Sequence, residues 1–121
     1  MTGRQREIVG LATAQANACQ YCIAGHIQTA ATVVLSPTDI LNARVGRSDK
    51  ALDNAIATFA LKVIQQQGLI EDAGVDVARE AGVDDSLMVE IVANVSLNTL
   101  TNYNNRLADT EIDFPVVQVE L

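Results

Sequence analysis

Both cysteines and the single histidine of the chain lie within eight residues, in the segment CQYCIAGH. If this segment is helical, Cys19 and Cys22 are three residues apart and Cys22 and His26 are four apart, which puts all three side chains on one face. Cys19 would then lie in the first turn, where free backbone N–H groups and the helix dipole favour a thiolate. Cys22 gains less from the dipole, but the imidazole one turn away can take its proton. On these grounds either thiol could be the nucleophile.

The preceding segment can bring a carboxylate to the same place. Asn17, in the segment QANAC, can end one helix or cap the next, which predicts an antiparallel helix hairpin that turns near residues 16 and 17. Glu7 and His26 lie about equally far from that turn, so the carboxylate would be level with the imidazole, fix its tautomer and raise its basicity. In one unbroken helix Glu7 would lie roughly 18 Å from Cys19, so the prediction requires the hairpin.

Simpler interpretations compete with this one. The cysteines could be two core residues of ordinary reactivity, and Glu7 a solvated helix residue. Zinc is disfavoured because the two cysteines and His26 supply only three ligands, and the chain has no further Cys or His. We predict no metal and no organic cofactor. Tyr21 could line a pocket or cover the helix start.

Four asparagines share one stripe of the last predicted helix: Asn94, Asn98, Asn102 and Asn105. Asparagine is a poor helix former, so such a series needs partners. We interpret the stripe as hydrogen-bonding to a neighbouring helix or across a subunit interface, in preference to contacting a substrate. Arg106 and Asp113 are interpreted as members of local ion pairs.

Helical spacing of apolar residues dominates the chain, and only 3% of its residues are aromatic, so Ala, Val, Ile and Leu must fill the core. We predict one all-α domain over residues 1–121. The first two predicted helices have apolar faces, formed by Ile8, Leu11, Ala12 and Ala16 in one and by Ile23, Ile27, Ala30, Ala31 and Val34 in the other. A short helix follows, capped by Ser36 with Pro37 at its first position, and then a long helix from Ser48 to Gly68. After a short segment over 72–81 that ends at Gly82, the last helix runs from Asp84 to about Leu107, and the tail is extended and packs on a neighbouring surface.

Charge and composition exclude several classes of partner. A net charge of −7 disfavours nucleic acid and anionic membranes. The chain has no apolar run long enough to span a bilayer, and the segment MTGRQREIVG lacks the features of a secretion signal. A C-x-x-C pair in such a chain favours redox chemistry, so we expect a reducing compartment and a cytoplasmic location.

The segment EIVGLATAQANACQYCIAGH resembles the signature of AhpD-like alkylhydroperoxidases, within the carboxymuconolactone decarboxylase superfamily. The resemblance rests on Glu7 twelve residues before Cys19, the C-x-x-C pair, and His26 four residues after Cys22. The segment EIVANVSLNTLTNYNNRLADTEIDFP is similar to the end of the peroxidase-related branch. The resemblance implies a compact all-α fold, a homo-oligomer that is commonly a trimer or hexamer, and thiol peroxidase activity.

The same resemblance implies a role for each residue. Cys22 would attack the hydroperoxide and become a sulfenic acid, and Cys19 would resolve it as a disulfide. A dithiol such as dihydrolipoamide on a carrier protein, or a thioredoxin-like donor, would reduce that disulfide. Glu7 and His26 would relay protons. Family members often have a histidine where this chain has Tyr21, which cannot act as a base near neutral pH, so the relay would be shorter here.

Three other functions are compatible with parts of this pattern. A general dithiol–disulfide oxidoreductase would use the same C-x-x-C without special activity toward peroxide. A lactone decarboxylase would follow the superfamily name, but that chemistry needs no redox dithiol. A non-enzymatic subunit would have cysteines of unperturbed reactivity.

Overall fold

The computed structural model describes all 121 residues and is all-α, as the apolar spacing predicts. It contains no strand. Its helices are α1 (Gly3–Ala16), α2 (Gln20–Ala30), α3 (Pro37–Arg44), α4 (Ala51–Gln65), α5 (Asp72–Glu80) and α6 (Asp85–Leu107), with a 3-10 turn at Ala31–Val33 between α2 and α3. None of the six helices combines the length and the apolar character that crossing a bilayer requires.

Capping residues explain where most helices begin. The hydroxyl of Ser36 accepts the N–H of Asp39, with Pro37 as the first residue of α3, and the carboxylate of Asp84 caps α6, both as predicted. The prediction that Ser48 caps α4 is wrong, because α4 begins after Lys50. The Ser48 hydroxyl instead accepts the N–H of Lys50 within the preceding turn, so it is not available to the helix.

Helix α1 lies at the centre of the fold and packs against α2, α3, α4 and α6. Because neighbours surround it, residues on most of its circumference are buried. Its fully buried large side chains are Ile8, Val9 and Leu11. The predicted apolar face of α1 ends early, since Ala16 is exposed. That of α2 ends at Ala30, because the 3-10 turn leaves Ala31 and Val34 exposed.

An ionic network joins the start of α1 to α3 and α4. The guanidinium of Arg4 donates to Asp39 at 2.8 Å and to Asp53 at 2.9 Å, and Gln5 also donates to Asp53 at 3.0 Å. The Arg4 guanidinium holds the pKa of Asp39 well below its usual range, and the N–H and hydroxyl of Ser36 add to this effect. The network therefore stabilises the ionised form of Asp39 in the folded chain.

The tail after α6 is irregular and packs back on the hairpin of α1 and α2, as predicted. Val117 and Val119 pack beside the cysteines, and the carbonyl groups of both residues accept side-chain hydrogen bonds. The predicted ion pairs of Arg106 and Asp113 do not form. Arg106 instead donates to the carbonyl oxygen of Asn17 at 2.8 Å, because the end of α1 presents an unpaired acceptor there.

We expect Asp39→Asn to lower the free energy of unfolding at pH 7 by about 1–2 kcal/mol, since it removes a charged acceptor from Arg4. The folded chain depresses the pKa of Asp39, so its contribution is complete above the unfolded pKa of about 4 and is lost as the pH falls below that value. The deficit of the variant should therefore shrink below pH 4. Urea unfolding followed by circular dichroism at several pH values measures this difference.

Asp113→Asn is the matched control, because Asp113 is exposed and lies outside the ionic network. It should leave the stability unchanged at every pH. A deficit of Asp39→Asn that is the same at pH 3 and pH 7 would contradict the electrostatic account.

Candidate active site

The turn between α1 and α2 places the two cysteines. Asn17 caps the end of α1, Ala18 has a left-handed backbone with φ 50°, and the N–H of Cys19 closes the turn by donating to the carbonyl of Ala14 at 3.0 Å. The predicted antiparallel hairpin is confirmed, with its reversal at residues 17–19. The placement of Cys19 in the first turn is wrong, because the chain needs Ala18 to reverse, so Cys19 is the N-cap of α2 and Cys22 lies in the first turn.

Cys19 and Cys22 are joined by a disulfide bond. The sulfur of Cys19 also accepts the backbone N–H of Cys22 at 3.3 Å, as an N-cap side chain does. Cys19 is 1% exposed and packs with Ala14 and Ile23, whereas Cys22 is 8% exposed and reaches a surface cavity. The two sulfurs therefore have different surroundings.

The hairpin brings Glu7 of α1 level with His26 of α2, as their distances from the turn predict. Oε2 of Glu7 lies 2.8 Å from Nδ1 of His26, and both side chains are partly buried. On its other side, Nε2 of His26 lies 3.0 Å from Oδ1 of Asn98 on α6. Both ring nitrogens are thus engaged, one by a carboxylate and one by an amide oxygen.

Asn98 determines which ring nitrogen carries a fixed proton. Its Nδ2 donates to the carbonyl of Asn94 at 2.8 Å, so its Oδ1 faces the imidazole and can only accept. Nε2 of His26 must therefore be the donor. The remaining proton lies on the hydrogen bond between Nδ1 and Glu7, either on the ring or on the carboxyl group. The pair can release or accept one proton at this position.

Gly10 of α1 makes room for the imidazole. A Cβ atom on Gly10 would lie 2.4 Å from Cε1 and 2.8 Å from Nδ1 of His26, closer than real contacts allow. The ring is therefore packed directly against the backbone of α1, between its two hydrogen-bond partners.

A cavity of about 300 Å³ opens beside these groups. Tyr21 both lines this cavity and packs against Phe114 of the tail, with ring centroids 5.5 Å apart. The remaining wall includes two residues of α6, Thr101 and Asn105. Three of the predicted site residues line the cavity, namely Glu7, Cys22 and His26. The fourth, Cys19, lines a separate cavity, to which Tyr21 also contributes.

The asparagine stripe supplies polar groups to the site that the spacing of the cysteines does not reveal. Asn98 contacts His26, and Nδ2 of Asn105 lies 3.6 Å from Sγ of Cys22. Asn102 accepts a hydrogen bond from Asn17 at 3.0 Å. Three of the four asparagines therefore bond to the hairpin of α1 and α2 in the same chain, as interpreted, and two of these three also touch the predicted site. Asn94 instead donates to the carbonyl of Glu90 within α6 itself. The spacing of the asparagines on one helix face was the only sequence feature that pointed to Asn98 and Asn105.

Comparison with known proteins identifies the first half of the chain. The model of the family described as the carboxymuconolactone decarboxylase family matches residues 2–66, which is more than half of the sequence. The match spans α1 to the end of α4 and includes Glu7, Cys19, Cys22 and His26. No curated protein matches the chain.

We expect Gly10→Ala to displace the imidazole of His26 and to break its hydrogen bonds to Glu7 and Asn98. Overpacking of this kind lowers the free energy of unfolding by about 1–3 kcal/mol. His26 is the only histidine, so its ring signals in an NMR spectrum are unambiguous and should shift.

Gly25→Ala is the control, since a Cβ at Gly25 would meet its nearest neighbour, Phe114, at an ordinary 3.4 Å. This change lies in the interior of α2 and should be neutral or stabilising, because alanine is the better helix former. Unaltered His26 signals in Gly10→Ala would show that the imidazole does not depend on the glycine.

Proposed function

The chain belongs to the carboxymuconolactone decarboxylase family, and from that membership we propose that it is a thiol peroxidase, which reduces hydroperoxides by cycling Cys19 and Cys22 between dithiol and disulfide. The observation that carries this proposal is the shared cavity, in which Cys22 of a C-x-x-C disulfide lies beside the hydrogen-bonded pair of Glu7 and His26. Decarboxylation of a lactone needs no redox dithiol, so the cysteine pair favours peroxide chemistry.

Burial supports Cys22 as the cysteine that attacks the peroxide. It lines the cavity with Glu7 and His26, whereas Cys19 is almost fully buried among apolar side chains. An apolar environment disfavours a thiolate, which argues against Cys19 as the attacking sulfur. Cys22 lies in the first turn of α2, where the unpaired N–H groups of the helix favour negative charge.

In the first step the thiolate of Cys22 attacks the terminal oxygen of the hydroperoxide. An S–O bond forms, the O–O bond breaks, and its electron pair leaves with the alkoxide. The alkoxide takes the mobile proton of the pair formed by Glu7 and His26 and departs as an alcohol. Cys22 is then a sulfenic acid, oxidised by two electrons.

In the second step Cys19 attacks the sulfur of Cys22. The thiol proton of Cys19 passes to the departing hydroxide by way of the same pair, so water leaves as the disulfide forms. The two residues are only three apart in sequence, with Cα atoms 5.2 Å apart, so no large rearrangement is needed.

A dithiol reductant must then return two electrons and two protons to the cysteines. We propose a lipoyl group on a carrier protein or a thioredoxin-like protein as this donor, because a dithiol can resolve its own mixed disulfide intramolecularly. A reducing compartment such as the cytoplasm would keep such a donor reduced.

The outer face of α6 supports self-association. It carries six large apolar side chains that are 42% to 88% exposed: Val89, Val92, Leu97, Leu100, Tyr103 and Leu107. The opposite face carries the asparagines that contact α1 and α2. An exposed apolar stripe of this length is typical of an interface, and we propose that α6 packs against further copies of the chain in a trimer or hexamer.

The peroxidase proposal is tested by mixing the reduced protein with an organic hydroperoxide and following the loss of free thiols. We expect a rate far above that of free cysteine, ending in an intramolecular disulfide. Cys22→Ser should abolish the fast reaction, whereas Cys19→Ser should retain one oxidation and accumulate a sulfenic acid. Glu7→Gln should slow the reaction about 100-fold, since it removes one half of the proton relay.

A rate equal to that of free cysteine would reject the peroxidase. If the reduced protein then reacted rapidly with a disulfide substrate, a general dithiol–disulfide oxidoreductase would be the better description. A fast reaction that survives in Cys22→Ser would reverse the roles of the two cysteines.

For the oligomer, we expect the native chain to elute with a mass several times 12.9 kDa in light scattering coupled to gel filtration. Leu100→Glu places a charge in the apolar stripe and should reduce the mass toward that of one chain. Leu69→Glu is the control, because Leu69 is 85% exposed but lies in the loop between α4 and α5 and is not part of the stripe. A native mass of one chain would contradict the proposal.

A further inference from the structure

Asn105 is the only residue whose side chain hydrogen-bonds to the sulfur of Cys22. Its Nδ2 lies 3.6 Å from Sγ, and its Oδ1 accepts the hydroxyl of Thr110 at 3.0 Å, which leaves the amino group directed at the sulfur. We propose that Asn105 is a further catalytic residue, which donates this N–H to the Cys22 thiolate and stabilises it. Its part in catalysis rests on the proposed peroxidase function, but its effect on the thiol does not.

No charged group that lines the cavity is directed at the sulfur of Cys22, so a thiolate there needs another hydrogen-bond donor. The titratable groups that line it with Cys22 are Glu7 from α1 and Tyr21 and His26 from α2, and neither α6 nor the tail adds another. The pair of Glu7 and His26, with its one shared proton, has no net charge and therefore offers a thiolate no positive partner. Both nitrogens of His26 are already bonded, to Glu7 and to Asn98, so neither is directed at the sulfur.

The charged groups that line the cavity beside Cys19 do not stabilise a thiolate at Cys22 either. Arg106 and Asp109 line the cavity that Cys19 reaches, and the guanidinium of Arg106 donates to the carbonyl of Asn17. Asn105 lines both cavities, and its amino group is directed at the sulfur of Cys22. Its amide therefore offers Cys22 a donor without adding charge to the site.

Asn105 is also held firmly enough to act as a fixed donor. It lies in the last turns of α6, where the backbone N–H of Thr110 donates to its carbonyl at 3.1 Å while the Thr110 hydroxyl holds its side chain. A donor that is already oriented when the thiolate forms needs no rearrangement at that step. The proton released from Cys22 goes to the pair of Glu7 and His26 or to solvent, and no redox change is involved.

The test uses the Cys19→Ser background, in which Cys22 is the only thiol. The rate of its alkylation by iodoacetamide, measured against pH, reports the pKa of the Cys22 thiol. We expect Asn105→Leu, which removes the donor and nearly keeps the volume, to raise this pKa by about 1. Alkylation near neutral pH should then be up to about tenfold slower, with the same limiting rate at high pH. A purely structural role would not produce this pattern.

Asn104→Leu is the matched control, since Asn104 is the exposed neighbour of Asn105 on the same helix and should leave the pKa unchanged. Asn105→Ala provides a second variant if leucine disturbs folding, as judged by circular dichroism. An unchanged pKa in a folded Asn105 variant overturns the inference. Because alkylation involves no peroxide, a raised pKa combined with no peroxide reduction would instead leave Asn105 as the thiolate donor and reject the peroxidase.

Discussion

The register of α1 against α2 is the constraint on which the site depends. The reversal at Ala18 sets this register. The register places Glu7 and Gly10 of α1 beside His26 of α2. A shift of one residue would rotate α1 by about 100°, which would move the carboxylate away from the imidazole. It would also replace the glycine under the ring with a side chain. The disulfide beside the turn and the bond from Arg106 to Asn17 both reinforce the same reversal.

Helix α6 has its polarity arranged in an unusual way for a surface helix. Its inner face carries Ile91 and Val95 in the first half but asparagines in the second, while its outer face is apolar. The inner asparagines lower the stability of the fold at one position, since Nδ2 of the fully buried Asn102 has no hydrogen-bond partner. Such an orphan donor costs about 1–3 kcal/mol. A sequence tends to retain a local conflict of this kind where function requires it.

The parts of the fold that depend on local signals were predictable from the sequence. Ser36 and Asp84 were recognisable as helix caps because an N-cap side chain bonds to a backbone N–H within the next three residues. The contact between Glu7 and His26 was also predictable, since a short hairpin pairs residues symmetrically about its turn. Ser48 failed as a cap because its hydroxyl has a closer partner, Lys50, within the turn.

The parts that depend on distant packing were not predictable in the same way. Asn98 reaches His26 across 72 residues of sequence, and Asn105 reaches Cys22 across 83. Periodicity places these residues on one face of α6 but does not say which helices that face meets. The family model also ends at residue 66, before α6 begins. The need for glycine at position 10 was not predictable either, because only the position of the imidazole shows why a side chain is excluded there.

The different surroundings of the two sulfurs give the proposed cycle its direction. Cys22 has a helix start and an amide donor beside it, so negative charge is tolerated there. Cys19 lies among Ala14, Ile23 and the valines of the tail, where a charge is disfavoured but a disulfide is not. In the reduced state the charge would reside on Cys22, facing the cavity, and oxidation would remove it. The neutral disulfide then packs against the same apolar side chains as Cys19, so the packing that would disfavour a thiolate at Cys19 would also accommodate the product of its reaction.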